Sequence, residues 1–237
     1  PTSPVIDKVE IQIVPEDGSR SGALEEGEVD MTWGLTPKAR NNFASNSGYK
    51  VKSVEAGGYQ FMQYPVQVAP WDNKKVRQAA NHLIPRKQIS ENIERGWTRP
   101  AWTPLPEVAY GSGTQDPEAL EEELKPMNEY DPEKAEELIN EAGVETPIEF
   151  QLETNKNNTT RVKKAELIAQ AMNQTGLFDV SVETFELGKF VGRILNTEYW
   201  KKGNVFIVGL SGTSNPGIFC NPTHHSRNWP QCCNDQT

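Results

Sequence analysis

The chain has 237 residues, enough for one large domain or two smaller ones with buried cores. Its 24 lysines and arginines are outnumbered by 33 aspartates and glutamates, and the net charge of −9 disfavours nucleic acid and anionic membranes as partners. No run of 18 apolar residues occurs, and the first residues lack the pattern of a secretory signal.

The first part of the chain is predicted to form a strand, a helix and a second strand. Residues 9–15 alternate apolar and polar side chains, which is typical of a half-buried strand. A helix is expected over 19–26, with a glycine directly after it. Residues 49–56 alternate again, and residues 59–71 are aromatic and extended.

The middle of the chain is predicted to be helical on both sides of a long loop. Apolar residues at helical spacing indicate a helix over 72–84, capped by its first or second residue, and another over 85–96. Residues 98–130 are rich in proline, glycine and glutamate, so we expect a surface loop. A third helix should occupy 131–143, with Asp131 as its N-cap.

The remaining part alternates regularly between strands and helices and ends in an uninterrupted apolar strand. This order predicts an α/β fold with a mostly parallel sheet flanked by helices. Ligands of such sheets gather beyond the carboxyl ends of the strands. The predicted elements are strands at 148–154, 178–184 and 204–210 and helices at 160–176 and around 190–195.

The segment GLSGTSNP, residues 209–216, directly follows the predicted last strand. Its small residues would leave backbone amides and carbonyls open to a ligand, as small-molecule sites often do. The alternative is an ordinary turn. The candidate ligand-facing residues are Leu210, Ser211, Gly212, Thr213, Ser214 and Asn215.

Motifs of catalysis are not found in this sequence. It contains no G-x-S-x-G, no phosphate-binding P-loop and no H-E-x-x-H, and His82 is expected to pack in a helix or face solvent. The acidic pairs fit solvated helix faces. We therefore expect no enzyme, no cofactor and no resident metal.

All three cysteines and two of the three histidines lie between residues 220 and 233. Adjacent cysteines and adjacent histidines suit a zinc site poorly, so a disulfide ranks first, free thiols second and a metal site third. A metal-binding module built on this cluster is the alternative function. The residues are Cys220, His224, His225, Cys232 and Cys233, and the disulfide would join Cys220 to Cys232 or Cys233.

Three segments precede the parallel unit: GEVDM at 27–31, residues 69–101, and YDPEKAEELINEAG at 130–143. In their order and spacing, these segments and the parallel unit resemble the oligopeptide- and dipeptide-binding proteins of ABC importers. The resemblance implies a periplasmic-binding-protein-like fold of two α/β lobes that close on a ligand. It also implies that residues 1–56 are part of the first lobe. Residues 57–237 would form the second lobe, without the C-terminal segment with which the family's chain returns.

The resemblance implies an extracytoplasmic solute-binding component that delivers a peptide or related small molecule to a membrane permease. It would be a monomer, extracellular or periplasmic, anchored through a segment absent from this chain. Tyr59 and Phe61 would join the candidate ligand-facing residues. Peptide binders carry a carboxylate where this chain has Thr213 and Ser214, and an aromatic residue at Leu210, so neutral or differently anchored ligands are also expected.

Overall fold

A mixed four-stranded sheet organises the protein in a computed structural model that describes residues 5–53, 57–103 and 116–211. Its spatial order is β1-β4-β2-β3. Strand β2 is parallel to both β3 and β4, which confirms the predicted parallel unit, whereas β1 pairs antiparallel with β4 at the edge. The strands are Gly58–Gln63 (β1), Ile148–Asn155 (β2), Phe178–Phe185 (β3) and Val205–Ser211 (β4).

Helices surround this sheet. None of those within the described ranges is long and apolar enough to cross a membrane. They are Asp17–Glu25 (α1), Pro37–Ala44 (α2), Lys74–His82 (α3), Arg86–Gln88 (α4), Pro117–Leu124 (α5), Pro132–Ala142 (α6), Thr159–Asn173 (α7), Leu187–Ile194 (α8) and Thr197–Trp200 (α9), with a π-helical turn at Ile89–Ile93 and a 3₁₀ turn at Lys125–Met127.

Side-chain caps set the helix boundaries that the sequence predicted. Asn73 accepts a hydrogen bond from the backbone amide of Lys75 at the start of α3. Asp131 accepts one from Lys134 at the start of α6, and Gly143 ends that helix with a φ of 63°. A left-handed residue at this place is inexpensive only for glycine, so the local sequence alone fixes both ends of α6.

The main core lies on one face of the sheet, beneath α3, α6 and α7. Leu152 of β2 is fully buried there, among aromatic residues that include Trp71 and Phe178. The Trp71 indole also donates a hydrogen bond of 2.9 Å to the carbonyl of Gly203. This bond ties the segment before α3 to the loop before β4 and satisfies the buried polar atom of the indole.

A smaller core covers part of the opposite face of the sheet. Helices α8 and α9 pack Phe190, Ile194 and Trp200 against Phe206 of β4. Because side chains alternate along a strand, the residues of β2 that neighbour Leu152 point toward this second layer. The two layers therefore bury both faces of the sheet near its centre.

Three expectations for less regular segments were wrong. Residues 9–15 and 49–53 are not strands, and Ile13 is 91% exposed, because no neighbouring strand in the described part of the chain pairs with them. Helix α2 was not predicted. The presumed loop at 98–130 contains α5, which Asp116 caps through the amide of Glu118.

Replacing Leu152 by alanine should lower the free energy of unfolding by about 2 to 5 kcal/mol, because the site is fully buried and the change leaves a cavity. Leu195→Ala removes the same atoms from a residue that is 70% exposed and should change it by less than about 0.5 kcal/mol. Urea titration followed by tryptophan fluorescence compares them. Equal losses would contradict the assigned core.

Candidate ligand-binding site

The turn between β2 and α7 lies at the carboxyl ends of the parallel strands. Asn155, the last residue of β2, accepts hydrogen bonds from the amides of Asn157 and Asn158 at 2.8 and 3.2 Å. Asn158 then caps α7 by accepting from the amide of Arg161 at 2.9 Å. These bonds fix the turn and place Arg161 in the first turn of the helix, beside the sheet edge.

The guanidinium of Arg161 lies against β1 and β4. A Cβ atom on Gly209 would be 2.9 Å from an Nη atom of Arg161 and 3.2 Å from the Cγ of Gln60. Real Cβ atoms do not approach other heavy atoms at 2.9 Å, so a larger residue at this place would require the flexible guanidinium of Arg161 to shift. Gly209 and Gln60 are exposed and are cross-strand partners, which makes the recess around Arg161 open to solvent.

The charge of Arg161 is uncompensated in the described part of the chain. Its Nε is buried without a hydrogen-bond partner, and no described residue forms an ion pair with its guanidinium. Burial lowers the pKa of this group, yet an arginine remains charged at neutral pH. The N-terminus of α7 adds positive potential, which disfavours a cation and favours an anion. The recess is therefore suited to a negatively charged group.

The structure brings together three of the residues that the sequence proposed. Tyr59 pairs with Leu210 across β1 and β4, and the rings of Tyr59 and Phe61 are 5.2 Å apart. Strand alternation places these side chains on the sheet face opposite Gln60 and Gly209. Ser211 ends β4 opposite Gly58.

The other proposed site residues, 212–215, lie outside the described residues, and so do the cysteines and histidines of 220–233. His82 is buried at the end of α3, and its Nδ1 lies 2.9 Å from the carbonyl of Glu129. It therefore packs in a helix, one of the two places expected for it.

Arg161 was missed by sequence reasoning. The sequence does show a cationic residue in the first turn of a helix that directly follows a strand of a parallel unit, and this pattern could have identified Arg161. Its closeness to Gly209, 48 positions later, depends on the pairing of β2 with β4 and was not visible. Charge patterns along the chain cannot show which cation lacks a partner.

A buried polar network stabilises the opposite face. The carboxylate of Glu153 is fully buried and accepts hydrogen bonds from Arg193 at 2.9 Å, Tyr199 at 2.6 Å and Asn204 at 2.7 Å. The Arg193 guanidinium also lies 3.6 Å from the centre of the Phe185 ring. These contacts attach α8 and α9 to β2 and use the carboxylate as a structural group.

The described residues contain no group of three histidine, cysteine, aspartate or glutamate side chains that could hold a metal. What the sheet edge offers is an open cationic recess next to exposed backbone. Such an edge on an α/β fold is the kind of place where small solutes bind.

The chain belongs to the bacterial extracellular solute-binding proteins of family 5, because residues 1–230 match the family model described as "Bacterial extracellular solute-binding proteins, family 5 Middle". This match confirms the expected family and fold class. It does not favour the alternative of a metal-binding module.

Related proteins extend well beyond the part matched here. Heme-binding protein A of Haemophilus influenzae is 30% identical over 232 residues, covering 94% of this chain and 39% of that protein. Glutathione-binding protein GsiB of Escherichia coli is 24% identical over 233 residues, covering 97% and 43%. The chain thus spans about two fifths of the length of these relatives, which are binding proteins.

One solved structure has a fold similar to that of this chain. The periplasmic binding protein DppA from Helicobacter pylori, in complex with the peptide STSA, superposes with a TM-score of 0.78 at 20% identity. The superposition covers 94% of this chain and 42% of that one. A similarity at this identity concerns the fold.

Replacing Tyr199 by phenylalanine should lower the free energy of unfolding at pH 7 by about 1.5 to 3 kcal/mol, because Glu153 loses a charge-assisted hydrogen bond. Chemical denaturation measures the change. Tyr130→Phe removes the hydroxyl of a more exposed tyrosine and should be neutral within about 0.5 kcal/mol. A neutral Tyr199→Phe variant would contradict the structural role of the network.

The wild type and the Tyr199→Phe variant should differ in how their stability responds to alkaline pH. Burial, and then the hydrogen bond to Glu153, raise the pKa of Tyr199 to about 12, from an ordinary value of 10.0. The unfolded chain ionises first, so this stabilisation is complete below pH 10 and is lost as the pH rises toward 12. The stability difference between wild type and Tyr199→Phe should therefore shrink in denaturation curves above pH 10.

Proposed function

We propose that this chain is the ligand-contacting part of an extracytoplasmic solute receptor of an ABC importer, and that its solute carries a carboxylate bound by Arg161. The observation that supports this is the guanidinium itself. It is half-buried at the carboxyl edge of the sheet, its Nε has no hydrogen-bond partner, and Gly209 leaves the space it needs. Two parallel N–H groups of a guanidinium match the two oxygens of a carboxylate.

The ligands in the names of the relatives have this chemistry in common. Heme, glutathione and the peptide STSA all carry at least one carboxylate. An anchor for one carboxylate, combined with different surroundings, would allow one fold to accept such different molecules. We propose that Tyr59, Phe61 and Leu210, which lie on the other face of the sheet, together with residues 211–215, contact parts of the solute that extend past the sheet edge, away from its carboxylate.

The receptor role has further parts that we propose with it. Residues 1–56 would belong to a first lobe and residues 57–237 to a second, and closure of the two would cover the bound solute. The protein would act as a monomer outside the cytoplasm, held at the membrane, and would deliver its solute to a permease. Binding of this kind requires no catalytic residue.

The full-length protein, screened by thermal unfolding against trialanine, glutathione and haemin, should be stabilised by at least one of them. Arg161→Gln should lower the affinity for that ligand by about 10-fold to 150-fold, because hydrogen bonds to a charged group are lost. Isothermal titration calorimetry measures both affinities. Lys163→Gln removes an equal charge from the exposed neighbour on α7 and is expected to retain the affinity.

A matched chemical control uses the ligand. If trialanine is the ligand, its C-terminal amide should bind wild type about as weakly as free trialanine binds Arg161→Gln. Equal affinities of wild type and Arg161→Gln for every ligand that binds would contradict the carboxylate anchor. Failure of all three to bind would contradict the proposed class of solute.

Gly209→Ala should lower the affinity for the same ligand by about tenfold or more without changing any charge. The reason is that the added Cβ meets an Nη atom of Arg161 at 2.9 Å and displaces the guanidinium. Gly209 is exposed, so the variant should fold. Gly192→Ala, in a helix position with no atom within 4 Å of the added Cβ, is the control that should bind as wild type does. Unchanged affinity of Gly209→Ala would show that the guanidinium does not act from this position.

A further inference from the structure

A second cation lies one helical turn after Arg161. Lys164 is buried on the same side of α7, and its ammonium donates a hydrogen bond of 3.0 Å to the side-chain carbonyl of Gln60. Gln60 also packs beside the position where the Arg161 guanidinium approaches Gly209. Two positive charges therefore flank one glutamine at the edge of the proposed site.

Only one of these two charges is compensated. Lys164 forms an ion pair with Glu94, and both side chains are almost completely buried, at 10% and 6% exposure. Arg161 has no such partner in the described ranges. Because charges in a half-buried site are weakly screened, removing the carboxylate of Glu94 would add one full positive charge next to the guanidinium.

The backbone around Glu94 departs from regular helical geometry. Glu94 follows the π-helical turn Ile89–Ile93, and its amide donates to the carbonyl of Ile89 at 2.9 Å. The next residue, Arg95, has a φ of 54°, which is unfavourable for a side chain larger than glycine. π-Turns and strained residues occur often at functional positions, so this arrangement points to a role for Glu94.

We infer that Glu94 is a specificity-determining residue, which neutralises Lys164 so that the site has one net positive charge and favours doubly charged groups over singly charged ones less than a site with two positive charges would. This role rests on the proposed anion site at Arg161 and adds to it the charge of the solute. Glu94 acts through Lys164 and need not touch the solute. The ordinary alternative is a pair that only stabilises the packing of α7 on the π-helical turn.

Methanesulfonate and sulfate test the inference, since they share a tetrahedral oxyanion group and differ by one charge. The full-length protein with ¹⁵N-labelled arginine is titrated with each anion, and the Arg161 Nε–H signal, assigned by its loss in Arg161→Lys, reports binding. In Glu94→Gln the added charge should raise the ratio of sulfate to methanesulfonate affinity by about fivefold. In Lys164→Gln the uncompensated carboxylate should lower this ratio by about fivefold.

The double variant Glu94→Gln/Lys164→Gln should return the ratio to the wild-type value, because the net charge is restored while the ion pair is absent. A role in packing alone would leave the ratio unchanged in all three variants, and that result would overturn the inference. If Glu94→Gln does not fold, the fall in Lys164→Gln and its reversal in the double variant carry the test. An Arg161 signal that responds to neither anion in wild type would overturn both the anion site and the role of Glu94.

Discussion

The carboxylate of Glu153 is the group around which the described structure is arranged. A fully buried carboxylate is costly unless its charge is compensated, and here Arg193, Tyr199 and Asn204 all donate to it. Glu153 lies in β2, between β3 and β4, so these donors fix helices α8 and α9 on one face of the central strand. The preceding residue, Leu152, is buried in the main core on the other face.

The same strand also positions the proposed site. Two residues after Glu153, the side chain of Asn155 organises the turn that starts α7 and presents Arg161. Structural charges and the candidate functional charge are thus separated by only a few residues. The difference between them is that Glu153 and Lys164 have charged partners within the described chain, whereas Arg161 has no ion-pair partner there.

Membership of a solute-binding family agrees with this division. Two relatives are named for binding heme and glutathione, and the solved structural neighbour holds a peptide. Different ligands are thus found within one family. Because the fold is shared, selectivity in such a family must come from the side chains of the site and not from the fold. The role inferred for Glu94, which would change the charge of the site without lining it, is one way to obtain such selectivity.

The sequence alone was sufficient for elements whose ends are local. Asp131 and Gly143 delimit α6 wherever it packs, and the alternation of strands and helices from Ile148 to Ser211 predicted the parallel unit that is observed. It failed at residues 9–15, where alternation suggested a strand but the described structure has no partner strand.

Only the tertiary structure could show that Arg161, Gly209 and Gln60 meet, because three separate elements bring them together. It also decided which cation is paired, since the Glu94 carboxylate reaches Lys164 across 70 positions of sequence. Local composition determines which segments become helices and strands. The partner of each charge is set by packing between elements distant in the chain, and from that packing follows the proposed site.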